Sequence, residues 1–349
     1  MTIVYRKRAL PALGLCRGVT RRALLGGTTA AFLSQSFNRL HAAADSLGYV
    51  HAFGTSVLDR PAERVVSLGY TTQDPLLALG IAPLAIRQWF GNFPHGVWPW
   101  AQAQLGEAKP ELLVGEVSME RVAALKPDLI VAIGSGISKA EYRVLSRIAP
   151  VLMHEAGDAV YGTAWDKMTR MVGRATGKSN EAEALVSRVQ NQFATARARH
   201  PDWARKTAVA GYHWGGETGA FTGADTRAAF LAELGFKPTA PVLELSGPAE
   251  FYARLSPEDL SPLDADVLVW VSSFEQAPDL VSLPMRKTLS AHREGREVFA
   301  GGLMAAAMSF GSVLSLPFLL DHLEADIAAA ADGDTQTIVM SAEKAGLLS

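Results

Sequence analysis

Short apolar runs bounded by glycine, proline and polar turns alternate along this chain with stretches whose apolar residues recur every three or four positions. Arg64-Val65-Val66-Ser67-Leu68 reads as a buried strand, followed by a polar turn at Tyr70-Thr71-Thr72. Asp74 to Leu79 reads as a helix that Gly80 stops. Leu84-Ala85-Ile86, Asp128 to Ile133 and Val151-Leu152-Met153 are further short strands, and Ser138 to Ile148 is a helix between the last two. Tyr49 to Val57 has the pattern of a strand or hairpin. Strands alternating with helices predict a parallel sheet, and hence an α/β protein.

The period changes from Tyr161 to about His200. Trp165, Met168, Met171, Val172 and Ala175 recur at helical spacing, then Ala182, Leu185, Val186, Val189 and Phe193, with Gly177 and Asn180 between the two sets. This predicts one long, kinked helix. Strand patterns then resume at Arg205–Tyr212, Val267–Val271 and Val298-Phe299, with a glycine-rich turn after the first. A helix is expected over Thr226–Leu234, ending at Gly235, and a last one from Ser312 to about Ala331, with Leu314, Phe318, Leu319, Leu323 and Ile327 on one face. The end, from Asp332, is polar and expected to be loose.

One pattern occurs twice. Ser118-Met119-Glu120-Arg121-Val122-Ala123-Ala124-Leu125-Lys126-Pro127-Asp128-Leu129-Ile130-Val131 returns loosely 138 residues later as Ser256-Pro257-Glu258-Asp259-Leu260-Ser261-Pro262-Leu263-Asp264-Ala265-Asp266-Val267-Leu268-Val269. Each copy reads as an N-cap serine, a glutamate in the first helical turn, a short helix, an aspartate and a buried strand. Two similar units imply two lobes with a cleft between them. The expected division is a leader over 1–44, a first lobe over 45–160, a connecting helix over 161–200, a second lobe over 201–331 and a tail over 332–349.

Charge separates the leader from the rest. Residues 1–44 hold seven cationic residues and no acid. Thr20-Arg21-Arg22 precedes an apolar stretch from Ala23 to Leu33, and His41-Ala42-Ala43-Ala44 offers small residues for a cut before Asp45. This is the pattern of a twin-arginine export signal. The whole chain has 33 Lys and Arg against 35 Asp and Glu. Without the leader's seven cations the balance falls from −2 to near −9, which argues against nucleic-acid binding. The only cysteine, Cys16, lies in the leader, so the mature chain has no disulfide, thiolate metal site or cysteine nucleophile. No run of 18 apolar residues predicts a membrane span.

Several segments together carry a family likeness: Pro61-x-x-Arg64-Val65-Val66-Ser67-Leu68, Ala78-Leu79-Gly80-Ile81, the run from Met119 to Ile130, Glu141-Tyr142-x-x-Leu145-Ser146-x-Ile148-Ala149-Pro150-Val151, and Leu316-Pro317-Phe318-Leu319-Leu320-Asp321. In this order, over residues 49–330, the sequence resembles the periplasmic substrate-binding proteins of iron–siderophore ABC importers, a family that includes cobalamin and haem binders. The resemblance implies two similar lobes with mainly parallel sheets flanked by helices, of the class III periplasmic binding protein kind. It also implies one long interdomain helix, limited hinge motion and a ligand held between the lobes. It further implies a glutamate on each lobe that pairs with arginines of a membrane permease. The matching positions are Glu120 and Glu258, which the internal repeat also picks out. A monomer is expected, with no resident cofactor, exported to the periplasm or the extracytoplasmic face.

Ligand contacts in such a fold come from turns after strands. The first lobe offers Tyr70 and Thr72, a long aromatic turn from Arg87 to Trp100 that includes Trp89 and Trp98, then Ser135 and, near the junction, Trp165. The second offers Tyr212-His213-Trp214, Phe251-Tyr252, Ser272-Ser273-Phe274 and Ser309-Phe310. Aromatic faces pack against the rim of a bulky iron chelate, and Arg87 is the expected cation for its oxygens. Tyr70, Thr72, Arg87, Trp89, Trp98, Ser135, Trp165, Tyr212, Trp214, Tyr252 and Phe274 are therefore the expected contacts. Haem is the alternative ligand, with Tyr212 or His213 as axial ligand, and cobalamin another. Direct metal ligation by His95, His154 and His213 is disfavoured, because no His-x-x-x-His or His-x-x-Glu spacing brings ligands together. An exported α/β enzyme is disfavoured too. Gly211 to Gly216 is neither a dinucleotide fingerprint nor a P-loop, and Gly134-Ser135-Gly136 is not a nucleophile elbow.

Overall fold

The chain was analysed as a computed structural model that describes residues 47–348, apart from 246, 248 and 249. The leader lies outside the described residues. An antiparallel hairpin comes first, β1 (Leu47–His51) with β2 (Gly54–Leu58). The apolar runs then fold as β3 (Val65–Ser67), α1 (Gln73–Ala78), β4 (Ala85–Arg87), α2 (Gln102–Leu105), β5 (Glu111–Leu113), α3 (Met119–Ala124), β6 (Leu129–Val131), α4 (Lys139–Leu145) and β7 (Val151–Leu152). The five strands β3 to β7 form one all-parallel sheet in the order β5-β4-β3-β6-β7. Val65, Val66, Leu129, Ile130 and Val131 are fully buried, as expected of a sheet covered on both faces. Ser118 caps α3 by accepting from Arg121 N, and Ser138 with Glu141 closes a capping box on α4.

The winding changes direction at β3, which pairs with β4 on one side and β6 on the other. The connections leaving β3 and β6 diverge there, so a crevice opens at the carboxyl ends of these two strands.

The expected long helix is two helices, α5 (Trp165–Ala175) and α6 (Ser179–Arg199). Gly177 between them takes φ +70°, and a Cβ on Gly173 would lie 2.4 Å from that of Ala182. That close approach lets α5 fold back against the start of α6, where Arg170 Nε pairs with Glu183 at 2.7 Å. The break is thus a tight turn between packed helices rather than a kink.

The second half continues as β8 (Ala208–Trp214), β9 (Glu217–Phe221), α7 (Thr226–Glu233), α8 (Ala240–Leu245), β10 (Tyr252–Arg254), β11 (Val267–Val271), α9 (Pro278–Val281), α10 (Ser290–Arg293), β12 (Glu297–Ala300), α11 (Gly302–Phe310), α12 (Ser315–Ala331) and α13 (Met340–Lys344). Its sheet runs β10-β9-β8-β11-β12. This is the same order of connection as in the first sheet, with one change. Where α1 carries the chain from β3 to a parallel β4, a two-residue turn carries it from β8 to an antiparallel β9. Gly215 and Gly216 make that turn with φ +61° and +80°, values that suit the twist of a tight hairpin. The strands β8, β11 and β12 are parallel.

The two copies of the repeat also differ. Glu120 does occupy the first turn of a helix, but Glu258 does not. Pro257 and Pro262 interrupt the second copy, which folds as a turn and one 3-10 turn at Ser261–Leu263. Ser256 Oγ accepts from Glu258 N at 3.3 Å.

The described residues form one compact unit. The core of the second sheet continues across the seam into Leu77, Ile86, Val97, Trp98, Trp100, Ala101 and Leu105 of the first half. Nor is the chain's end loose. Val339, Ala342, Ala345 and Leu347 are buried beside β12. The carbonyl of Leu347 accepts from Arg286 Nη2, and Arg286 is itself fully buried. Its guanidinium forks onto Glu297 at 2.8 and 2.7 Å, and Glu297 also accepts from Trp270 Nε1 at 2.7 Å. The polar composition after Asp332 hid this anchor.

Candidate functional site

A cavity of about 340 Å³ opens at the carboxyl edge of the first sheet and is closed by the second half. The first half lines it with Tyr70 after β3, Trp89 after β4, Gly134 after β6, and Tyr161, Trp165 and Met168 at the start of α5 and just before it. The second half contributes Asp225 to Arg227 at the start of α7, Phe251, and Ser309 to Val313 at the end of α11 and in the turn after it. A second chamber of about 600 Å³ shares Arg227 and Ser309 with the first. It is walled by Phe90, Phe93 and Trp98 on one side and by Tyr212, His213, Trp214 and Ser272 on the other.

Phe310 stands where the chambers meet. Its ring centroid lies 5.7 Å from Trp89, 6.1 Å from Phe90, 5.9 Å from Trp98 and 5.1 Å from Trp100. The aromatic turn of the first half therefore closes on a single ring of the second. On the first half a stacked ladder runs from Tyr161 through Tyr70 to Trp89, with spacings of 6.4 and 5.5 Å. Such flat faces suit a rigid, bulky guest.

The polar centre is Arg227. Asp225 caps α7 by accepting from the backbone N of Arg227 at 2.8 Å, and its carboxylate also takes Arg227 Nη1 at 2.9 and 2.8 Å. Arg227 Nη2 donates to Ser309 Oγ at 2.7 Å, and the guanidinium lies 4.2 Å from the Phe221 ring. Burial pushes the Asp225 carboxyl up, and the Arg227 charge and hydrogen bonds recover only part of that.

Asp74 crosses the seam. It is fully buried on α1, and its Oδ2 accepts from Trp100 Nε1 at 2.9 Å and from Ser312 Oγ at 2.5 Å. Its Oδ1 has no partner among the described residues. Burial raises its pKa to about 6, against the pull of those two bonds.

The expected contacts divide. Tyr70, Trp89 and Trp165 line the first chamber, and Trp98, Tyr212 and Trp214 the second. Thr72 is fully buried, bonded to Ser67 Oγ at 2.7 Å and to Gly69 O, and faces neither. Arg87 and Ser135 support the wall instead. Arg87 lies 4.8 Å from the Tyr70 ring and donates Nη1 to the Ser135 carbonyl at 2.9 Å. Tyr252 and Phe274 are exposed outside both chambers. Phe251, one residue earlier, points in where Tyr252 points out. Asp225, Arg227 and Tyr161 were missed. The only signal for the first two was an Asp-x-Arg at a helix start, which many surface helices share.

Glu120 and Glu258 are both exposed. The topology places each at an edge of its own sheet. Glu120 follows β5, which is parallel to the rest of its sheet. Glu258 follows β10, which runs antiparallel to β9 and so in the same direction as β8. Glu120 thus leaves the carboxyl edge of the first sheet, and Glu258 the end of β10 that matches the carboxyl edge of β8. Among the described residues no three His, Cys, Asp or Glu side chains converge to hold a metal ion, and no helix is long and apolar enough to cross a membrane.

Known proteins share this architecture. A crystal structure of a periplasmic solute binding protein from Mycobacterium smegmatis matches 82% of this chain and 99% of its own, with 36% identity and a TM-score of 0.73. The Streptococcus pneumoniae protein PiaA, in complex with ferrichrome, matches 82% of the chain and 99% of its own at 23% identity and TM-score 0.70, a likeness of fold. The Fe(3+) dicitrate-binding periplasmic protein FecB of Escherichia coli is 30% identical over 155 residues, which is 44% of this chain and 49% of FecB. The chain thus spans about half the length of the curated relatives it matches. The sequence pattern of the periplasmic binding protein family matches residues 65–301, from β3 through β12, the segment that carries both sheets and most of the walls of both chambers. By sequence, sheet order and the position of its cleft, the chain belongs to the periplasmic binding protein family.

Proposed function

We propose that this protein is the extracytoplasmic solute-binding component of an ABC importer, capturing a ferric siderophore in the seam between its sheets and delivering it to a membrane permease. The observation that carries this reading is the pair of chambers in the seam between the sheets, with aromatic walls drawn from each half. A ligand touching both halves favours the closed arrangement over any open one, and the loaded state is the one delivered. Tyr70, Trp89, Trp98, Trp165, Tyr212 and Trp214 pack against the guest, and Arg227, its charge held in the pair with Asp225, replaces Arg87 as the hydrogen-bond donor to its oxygens. Glu120 and Glu258 are the docking points for cationic groups of the permease. A twin-arginine leader exports the folded monomer. The work is capture and release, with the iron chelate as cargo and no bond made or broken. The names of the curated relatives, which bind ferric dicitrate and ferric enterobactin, support iron chelates as the ligand class.

Haem fits the site less well. Tyr212 donates its hydroxyl to Glu217 at 2.8 Å, and burial together with that carboxylate pushes its pKa upward. Both effects disfavour the tyrosinate that would ligate iron. Titration of the purified mature protein with ferric siderophores and with haemin separates the two. Quenching of tryptophan emission at submicromolar ferric siderophore, without a Soret shift on haemin addition, is the expected result. A Soret shift with no response to any siderophore overturns the reading.

A further inference from the structure

The charge of the cleft restricts which iron chelates it accepts; the inference rests on the siderophore reading above. Among the described residues, only three formally charged side chains line the two chambers, Asp225, Arg227 and Glu275, and His213 is the one imidazole there. Arg227 is already neutralised. Both oxygens of Asp225 lie within 2.9 Å of its Nη1, and its Nη2 is given to Ser309. Arg87 lines neither chamber and donates to a backbone carbonyl. Glu275 is exposed on the rim of the second chamber with no positive partner on the chamber wall. The remaining lining is largely aromatic, aliphatic and hydroxyl-bearing.

Ferric chelates differ sharply in net charge. Three catecholates bring six negative charges to a ferric ion and leave the complex trianionic. Citrate complexes are also anionic. Three hydroxamates bring one negative charge each and leave a neutral shell, or a positive one if the siderophore carries a free amine. A trianion entering this cleft would lose its water, meet the unpaired carboxylate of Glu275 at the rim and find Arg227 already paired with Asp225. A neutral shell loses little on desolvation and gains the aromatic walls.

We infer that the cleft is built for ferric trishydroxamates of neutral or single positive charge, and that it rejects catecholate and citrate complexes. This parts the chain from the curated relatives, whose names specify ferric dicitrate and ferric enterobactin.

The test is tryptophan-quenching titration of the mature protein with four probes: neutral ferrichrome, cationic ferrioxamine B, trianionic ferric enterobactin and ferric dicitrate. The expected result is affinity for at least one of the two hydroxamates at least a hundredfold above that for either anionic complex. In Glu275→Lys the ratio of enterobactin to hydroxamate affinity should rise about tenfold, because the rim changes sign. Equal or tighter binding of an anionic complex overturns the hydroxamate assignment while leaving the siderophore reading intact. Binding of none of the four overturns both.

Discussion

Asp74 lies in an environment far from what its type prefers. An aspartate at a helix start is ordinarily a solvated, dipole-favoured acid. Here it is fully buried at the seam, holding Trp100 from its own half and Ser312 from the other. With a folded pKa of about 6 against an ordinary 3.8, the folded state binds the proton more tightly than the unfolded chain. The stability this group contributes is therefore full below about pH 4 and is lost as pH rises through 6. The gap of roughly two pK units corresponds to about 3 kcal/mol. Asp74→Asn cannot ionise, so its stability relative to the parent should improve by about that amount between pH 4 and pH 8, as read from urea unfolding at both pH values. A difference that stays constant across that range contradicts the assignment. None of this was legible in the sequence, because Ser312 lies 238 positions away. Arg227 was hidden for a related reason. Its partner Ser309 lies 82 positions away, and although Asp225 caps the same helix, nothing local marks a first-turn arginine as inward-facing.

Among the elements, those with β-branched apolar runs were read from pattern alone. The strand β11 was bounded at Val267–Val271, and β3, β6, β7 and β12 were each located. The strand β9 was not. Its sequence, Glu-Thr-Gly-Ala-Phe, has little apolar bulk, because Gly219 lies against the Ala253 carbonyl and the Tyr212 ring, where a Cβ would come within 2.6 Å of both. The glycines of the turn were visible, but the strand they lead into was not. The C-terminal segment was likewise read from its polar composition, although its anchor is a buried ion pair. Removing one member of such a pair leaves the other charge uncompensated at a cost of about 3–5 kcal/mol. Arg286→Ala should lower the unfolding free energy by that amount and should expose α13 to proteolysis. A loss below 1 kcal/mol would show that Arg286 does not hold the segment.

The molecule as a whole is two sheets of related winding that share a core across their seam. Two halves and a cleft were legible from the repeat, because each copy leads into a buried strand, β6 and β11. Their continuity was not, since it depends on Trp98, Trp100 and Phe310 packing across a seam that no local pattern reveals. That continuity leaves little room for relative motion, so in the proposed role the permease would recognise the loaded protein at its surface more than by a large change of shape. The exposed glutamates on the carboxyl edges serve that recognition in our reading. Reversing both, Glu120→Arg with Glu258→Arg, should abolish ferric siderophore uptake by cells while ligand affinity in vitro stays within twofold. Normal uptake by the double variant would remove them from the mechanism.

Where the guest sits decides whether both halves of the protein bind it. Crystals of the protein grown with a ferric siderophore allow the iron to be located by its anomalous scattering. The expected result is one iron peak within the seam, with its chelate touching Tyr70 or Trp89 on one side and Arg227 or Phe310 on the other. Iron bound outside the seam, or a chelate resting on one half alone, would contradict the account.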